Sequence, residues 1–166
     1  MIPNHLVDLR NVRNGDDESF GIQEATRGIV RLSLKCTCDS RDFRLSGNDQ
    51  EYTEAWGACA RCGKASLIHS SYLHGWYAVQ LKYDEHFADE YEERIKRASK
   101  ASDLATFHCV NCGAHTFRVL VDLQFPDHDD DQIPVSEKQN AYEQIFAYVK
   151  CCNCEETRRW LHFENY

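Results

Sequence analysis

The residues best placed to do chemistry are nine cysteines in four groups: Cys36 and Cys38; Cys59 and Cys62; Cys109 and Cys112; and Cys151, Cys152 and Cys154. A thiol can ligate a metal, close a disulfide or fill a core. Two cysteines separated by two residues can both reach one ion from a tight turn, and glycine after the second lets the backbone reverse without a Cβ clash. "CARCG" (59–63) and "CVNCG" (109–113) have that form. "CTC" (36–38) is one residue short, and "CCNC" (151–154) has glutamate where the glycine would be. In the last group the two-residue gap favours Cys151 over Cys152 as the partner of Cys154, which leaves Cys152 as a packed small side chain. Four thiolates suit zinc and also suit iron. Disulfides and plain burial stand as the alternatives.

The compartment bears on that choice. The opening "MIPNHLVDLRNVRNGDDESF" has no basic region followed by an apolar run, and no stretch approaches the roughly 18 apolar residues of a membrane helix. A soluble cytoplasmic protein is expected. Its thiols would stay reduced, so grouped cysteines point to metal.

The elements that must position these groups follow from the apolar pattern. Set side by side, the two halves align: "LKCTCDSRDFRL" with "FHCVNCGAHTFRV", and "AWGACARCGKASLIHSSY" with "AYVKCCNCEETRRWLHFENY". A period this long reads as a duplicated small domain, since a solenoid needs at least about three repeats. Alternation puts Val30, Leu32 and Leu34 on one strand face, and Phe117, Val119, Val121, Leu123 and Phe125 on another. "IFAYVK" (145–150) and "TRRWLHF" (157–163) read as a hairpin around the last cysteines, and "WYAVQLKY" (76–83) as a further strand. "DEHFADEYEERIKRASK" (84–100) predicts a helix with the apolar stripe Phe87, Tyr91, Ile95 and Ala98. Its acidic start, and Arg94, Lys96, Arg97 and Lys100 at its end, suit the helix dipole. "PDHDDDQIP" (126–134) is a polar loop, and "SEKQ" (136–139) offers a serine cap for a short helix.

On these cysteine pairs and their flanking strands the chain resembles the zinc-ribbon family, small β-hairpin modules in which two cysteine-bearing knuckles hold one structural zinc. The resemblance covers residues 29–72 and 106–166. It implies one Zn2+ on Cys36, Cys38, Cys59 and Cys62, with twenty residues between the pairs. It implies a second on Cys109, Cys112, Cys151 and Cys154, where the 38 intervening residues carry the acidic loop as an insertion. The expected fold class is α+β and β-rich: two zinc-ribbon-like hairpin modules related by duplication, linked by a strand and one amphipathic helix. The divisions are an N-terminal segment (1–28), a first repeat (29–75), the linking strand and helix (76–105) and a second repeat (106–166). Such sites serve folding, because each half has little core and bound zinc contributes on the order of 10 kcal/mol or more in finger peptides. Catalytic zinc keeps an open position for water, which an all-cysteine set lacks.

No enzyme is expected. The chain has no glycine-rich phosphate loop, nucleophile elbow or deaminase signature. "DHDDD" lacks the spacing of a calcium loop. Of eight histidines, His69, His74, His108, His115 and His162 lie near a knuckle or its hairpin, and surface or strand histidine is the plain reading. His108 or His115 would substitute as a ligand if one cysteine is not used.

Nineteen basic against 27 acidic residues give a net charge of -8, which argues against a phosphate-backbone partner and for a basic protein. The candidate partner-binding residues are Asp84, Glu85, Asp89 and Glu90, with Glu92 and Glu93 beside them, and Asp127, Asp129, Asp130 and Asp131. Immunity proteins and antitoxins often have this charge and size, so by analogy the specific expectation is neutralisation of a basic toxin such as a nuclease. One alternative is a nucleic-acid or transcription-associated module, using "TRRW" (157–160) and Arg118 to stack on bases. Against it, residues 104–166 carry ten acidic and five basic side chains. The other alternative is an enzyme whose site the sequence does not reveal.

Overall fold

Among the described residues, short runs of alternating apolar residues build an eight-stranded sheet in which every pairing is antiparallel. The computed structural model describes residues 9–12, 29–48, 54–98, 104–126 and 133–164. The strands are β1 (Leu9–Val12), β2 (Ile29–Cys36), β3 (Phe43–Asn48), β4 (Glu54–Cys59), β5 (Ala65–Ser70), β6 (Phe117–Gln124), β7 (Gln144–Cys151) and β8 (Thr157–Glu164). Helices α1 (Trp76–Tyr83) and α2 (Ala88–Arg97) lie between β5 and β6.

β6 is the hub. Its period-two face, Phe117, Val119, Val121 and Leu123, is almost fully buried. So are Leu32 and Leu34 of β2, Phe43 and Leu45 of β3, and Ile145, Ala147 and Val149 of β7. These side chains form one core that includes Cys36, Cys59, Cys109 and Cys151. Each large aliphatic or aromatic side chain contributes about 1.5–3 kcal/mol by leaving water. On the other face of β6, Asp122 is buried and meets Arg31 directly across the β2–β6 pair. Arg31 Nε and Nη2 each donate to one Asp122 carboxylate oxygen at 2.6 Å.

The two halves share their register. β3–β4–β5 and β6–β7–β8 are three-stranded ribbons, and Phe43 lies opposite Cys59 as Phe117 lies opposite Cys151. Each ribbon has a register shift at the same place, after Ala55 in one and after Ala147 in the other. The backbone N–H of Ala60 donates to Asp42 O, and that of Cys152 donates to Thr116 O, in equivalent positions. The ribbons meet where Phe43 pairs with Phe117, and their lead-in segments cross over. Ser33, before the first knuckle, pairs with Leu120, and Thr106, before the third, pairs with Ser46.

Two expectations about the connecting region need correction. Residues 76–83 form α1, a helix and not a strand. Val79 to Tyr83 alternates apolar and polar residues as a strand would, but a pattern this short does not exclude a helix. Here Gly75, with φ of 92°, turns the chain, and the N–H groups of Gly75 and Trp76 are taken by Asn140 O and Tyr142 O. Val79 then packs with Ile133 and Ala141 in a small second core. The helix expected over 84–100 is shorter, α2 starting at Ala88 after a 3₁₀ turn at Glu85–Phe87. Its stripe does not face the core: Phe87 and Ile95 are 45% and 44% exposed, and no α2 residue is buried. Polar contacts dock it instead, with Arg94 Nη2 donating to Ser71 O at 2.6 Å and Tyr77 OH donating to Glu90. "SEKQ" gives only a 3₁₀ turn over Lys138–Asn140, capped at Glu137 rather than Ser136. Residues 127–132, with Asp127, Asp129, Asp130 and Asp131, lie outside the described residues.

Asp122→Ala would leave the buried Arg31 without this carboxylate, and we expect a loss of about 3–5 kcal/mol in denaturant unfolding. A loss below about 1 kcal/mol, the level of exposed pairs, would contradict a buried ion pair here.

Candidate metal centres

Each cysteine group is built by the same turn. In three of them the first cysteine donates its N–H five residues on and accepts from four residues on. Cys59 N–H reaches Lys64 O while Cys59 O takes Gly63 N–H; Cys109 does the same with Ala114 and Gly113, and Cys151 with Glu156 and Glu155. The fourth is one residue tighter: Cys36 N–H reaches Ser40 O and Cys36 O takes Asp39 N–H. The residue after the last cysteine is left-handed in all four, with φ of 69° at Asp39, 74° at Gly63, 71° at Gly113 and 59° at Glu155. "CTC" is therefore a complete knuckle from which one residue has been removed. Aspartate tolerates the left-handed conformation moderately well, whereas at Glu155 it costs about 1–2 kcal/mol.

The knuckles bring the sulfurs together in fours. Cys36, Cys38, Cys59 and Cys62 form one group and Cys109, Cys112, Cys151 and Cys154 another, with all Sγ atoms of a group within 4.8 Å of each other. Cys36–Cys62 and Cys38–Cys59 are 3.5 Å apart in the first, and Cys109–Cys154 and Cys112–Cys151 are 3.5 and 3.6 Å apart in the second. A disulfide requires about 2.05 Å, and all nine cysteines are free. Four sulfurs at about 2.3 Å from a tetrahedral ion would stand about 3.8 Å from each other, so both groups fit a metal ion with little adjustment. Both centres are half sunk: Cys36, Cys59, Cys109 and Cys151 are buried, Cys62, Cys112 and Cys154 exposed, and Cys38 between.

The thiols of a group do not titrate alike. Burial alone would raise Cys59, but the backbone N–H groups of Cys62 and Arg61 outweigh it and bring the thiol down to about 6. Cys112 is lowered to about 6 by Asn153 and the Ala114 N–H. At Cys38 the Ser40 backbone works downward, yet burial and neighbouring sulfurs prevail and push it up to about 11. Cys154 is driven to about 12 in the same way, against the Glu156 backbone. Each centre thus has one thiol lowered and one raised by its surroundings.

Cys152 stands outside both groups. Its Sγ lies 3.5 Å from Asp42 Oδ1, and burial together with that carboxylate pushes the thiol up to about 12. The residue as a whole is exposed, and its thiol is turned against Asp42 rather than packed into the core. The α-helical acids are on the surface: Glu85, Asp89, Glu90, Glu92 and Glu93 are exposed and Asp84 is half-buried. Of the side chains offered for base stacking, Trp160 packs on Phe107, Arg158 lies 4.4 Å over the same ring, and Arg118 approaches Asp42 at 3.7 Å.

Several polar clusters escaped the sequence reading. Ser70 Oγ donates to Glu54 and Ser70 N–H to His74 Nδ1, while His69 Nδ1 meets the buried Tyr142 hydroxyl at 2.7 Å. Ser70 and His74 are only four residues apart, but Glu54 lies 16 residues from Ser70 and Tyr142 lies 73 from His69, and no local spacing announces those two contacts. His162 and Glu164, 2.6 Å apart, are two residues apart on one strand face, a spacing that could have revealed them. No family model matches the chain, and neither a curated protein nor a solved structure is significantly similar to it. Among the described residues, no helix is long and apolar enough to cross a membrane.

Thiolates, not thiols, ligate metals, so affinity must rise with pH while any ligand is protonated in the ion-free centre. At pH 7–8 uptake should release protons from Cys38 and Cys154. Below about 6, Cys59 and Cys112 are protonated too, which steepens the dependence. Competition titrations from pH 5 to 8 should show log affinity rising with pH, more steeply below about pH 6. A pH-independent affinity would contradict thiolate ligation.

Proposed function

We propose that each centre holds a structural zinc, that the two ribbons descend from one duplicated module, and that the protein acts without catalysis by binding a basic protein partner. The observation that carries the reading is that each group offers four cysteine Sγ atoms within 4.8 Å of one another, enough to supply every corner of a tetrahedral site. No position is left for water or substrate, so the metal is placed to hold structure rather than to perform a reaction. Zinc suits both centres because it has no geometric preference of its own and tolerates a knuckle one residue short. Matched registers, matched register shifts and the crossed lead-in segments support duplication.

The α1–α2 arm is the surface we assign to the partner. It carries five exposed carboxylates, from Glu85 to Glu93, beside the exposed rings of Tyr77 and Phe87. A cleft of about 220 Å³ opens between Tyr77, Gln80, Leu81, Asp84 and Phe87. An apolar side chain flanked by lysine or arginine would fill the cleft and meet the acids around it. Neutralisation of a basic toxin such as a nuclease is the narrower form, and it rests on charge and size alone. A nucleic-acid role has less support, since Arg158 and Trp160 are both engaged on Phe107.

Cys112→Ser removes one corner of a tetrahedron, so bound zinc should fall toward one per chain and thermal stability should drop. Cys152→Ser should keep both ions and nearly all the stability. Equal losses would mean the ligands are misassigned. For the partner, co-expression with basic products of neighbouring genes should yield a complex that weakens with salt. The combined change Glu85→Lys, Asp89→Lys, Glu90→Lys should weaken it at least tenfold, or about 1.4 kcal/mol, without altering zinc content. A complex indifferent to these charges, or none at all, would remove this reading.

A further inference from the structure

The third knuckle holds a pair of histidines that the thiolate centres do not use. His108 precedes Cys109 and His115 follows Ala114, the two residues joined by the knuckle's closing hydrogen bond. The same two positions hold Ala58 and Ala65 in the β4–β5 knuckle and Lys150 and Thr157 in the β7–β8 knuckle, and both of these are direct cross-strand pairs. One residue out from a hydrogen-bonded pair is where facing side chains come closest. The turn that carries Cys109 and Cys112, closed by Cys109 N–H to Ala114 O, also sets the backbone beside both histidines. Both side chains are exposed. Their rings are edge to face with centroids 4.4 Å apart, and their Nδ1 atoms point at each other at 2.5 Å.

Two imidazole nitrogens in that arrangement cannot both carry a proton. Either one donates to the other, or both give their lone pairs to a single cation. An ion bonded to each at about 2.0–2.1 Å needs the nitrogens about 3 Å apart, which a small rotation of two exposed rings supplies. We propose that His108 and His115 form a third metal site, open to solvent, for a divalent cation that prefers imidazole, such as Ni2+, Cu2+ or Zn2+. It differs in kind from the thiolate centres. They are closed on four sulfurs, whereas this site offers two nitrogens and leaves the remaining positions to water or to a donor group from another molecule. Imidazole selects the later first-row metals by affinity, and hard cations such as Mg2+ or Ca2+ would be ignored.

The experiment uses the full chain with zinc already bound, so that the sulfurs are occupied. Ni2+ is titrated calorimetrically while native mass spectrometry follows zinc in the same samples. The expected result is one Ni2+ per chain added with no zinc lost. His108→Gln and His115→Gln should each weaken that binding at least about tenfold, the loss that follows even when an outer partner of a metal ligand is removed. His86→Gln, on the exposed 3₁₀ turn before α2, should leave it unchanged. Because His108 and His115 are exposed, both variants should melt with the wild type. Three results would overturn the site: no Ni2+ taken up, Ni2+ taken up with matching zinc release, or uptake indifferent to both substitutions.

Discussion

Each of the two groups holds four sulfurs within 4.8 Å of one another, close enough to share one metal ion. Fully ionised, they would repel at close range; fully protonated, they would give up the strongest interaction open to them. The divided titration within each centre, near 6 at Cys59 and Cys112 and near 11–12 at Cys38 and Cys154, expresses that conflict. A divalent cation shared by all four would resolve it. The strand ends then follow, because each centre ties a lead-in segment to the hairpin that closes the same ribbon. Cys36, Cys59, Cys109 and Cys151 also belong to the apolar core, so a bound ion would act on residues that hydrophobic burial already holds.

The two ribbons are not separate bodies joined by a linker. β2 leads into the first centre but pairs with β6 of the second ribbon, and Thr106 leads toward the second centre but pairs with Ser46 of the first. The Arg31–Asp122 pair reinforces one crossing and Phe43 against Phe117 marks the middle. Damage at one centre should therefore be felt at the other. Evolution of the second ribbon is also constrained by the first, since a change of register in either would unpair the other's lead-in.

The strands and the sulfur groups were the legible part. Alternation located β2, β6, β7 and β8, because a face buried against one core must repeat every second residue. Spacing located the knuckles, even "CTC", where only the backbone shows that a shortened turn closes in the same way. α1 was illegible because Val79 to Tyr83 alternates as a strand would, and the helix start is docked instead through Gly75 and Trp76 on Asn140 and Tyr142, over fifty residues away in the chain. α2 was half legible. Its charge order matched the helix dipole, but the stripe through Phe87 and Ile95, which would ordinarily face a core, faces outward. Pairs such as His69 with Tyr142 depend on tertiary placement alone and leave no mark on local sequence.

Zinc K-edge X-ray absorption on the His108→Gln, His115→Gln protein, purified without chelator so that no imidazole pair takes zinc, tests the central claim most directly. The account predicts a single shell of four sulfurs at about 2.3 Å around zinc, with close to two zinc ions per chain. A shell containing nitrogen or oxygen at about 2.0 Å, or protein that is folded and free of metal, would contradict it.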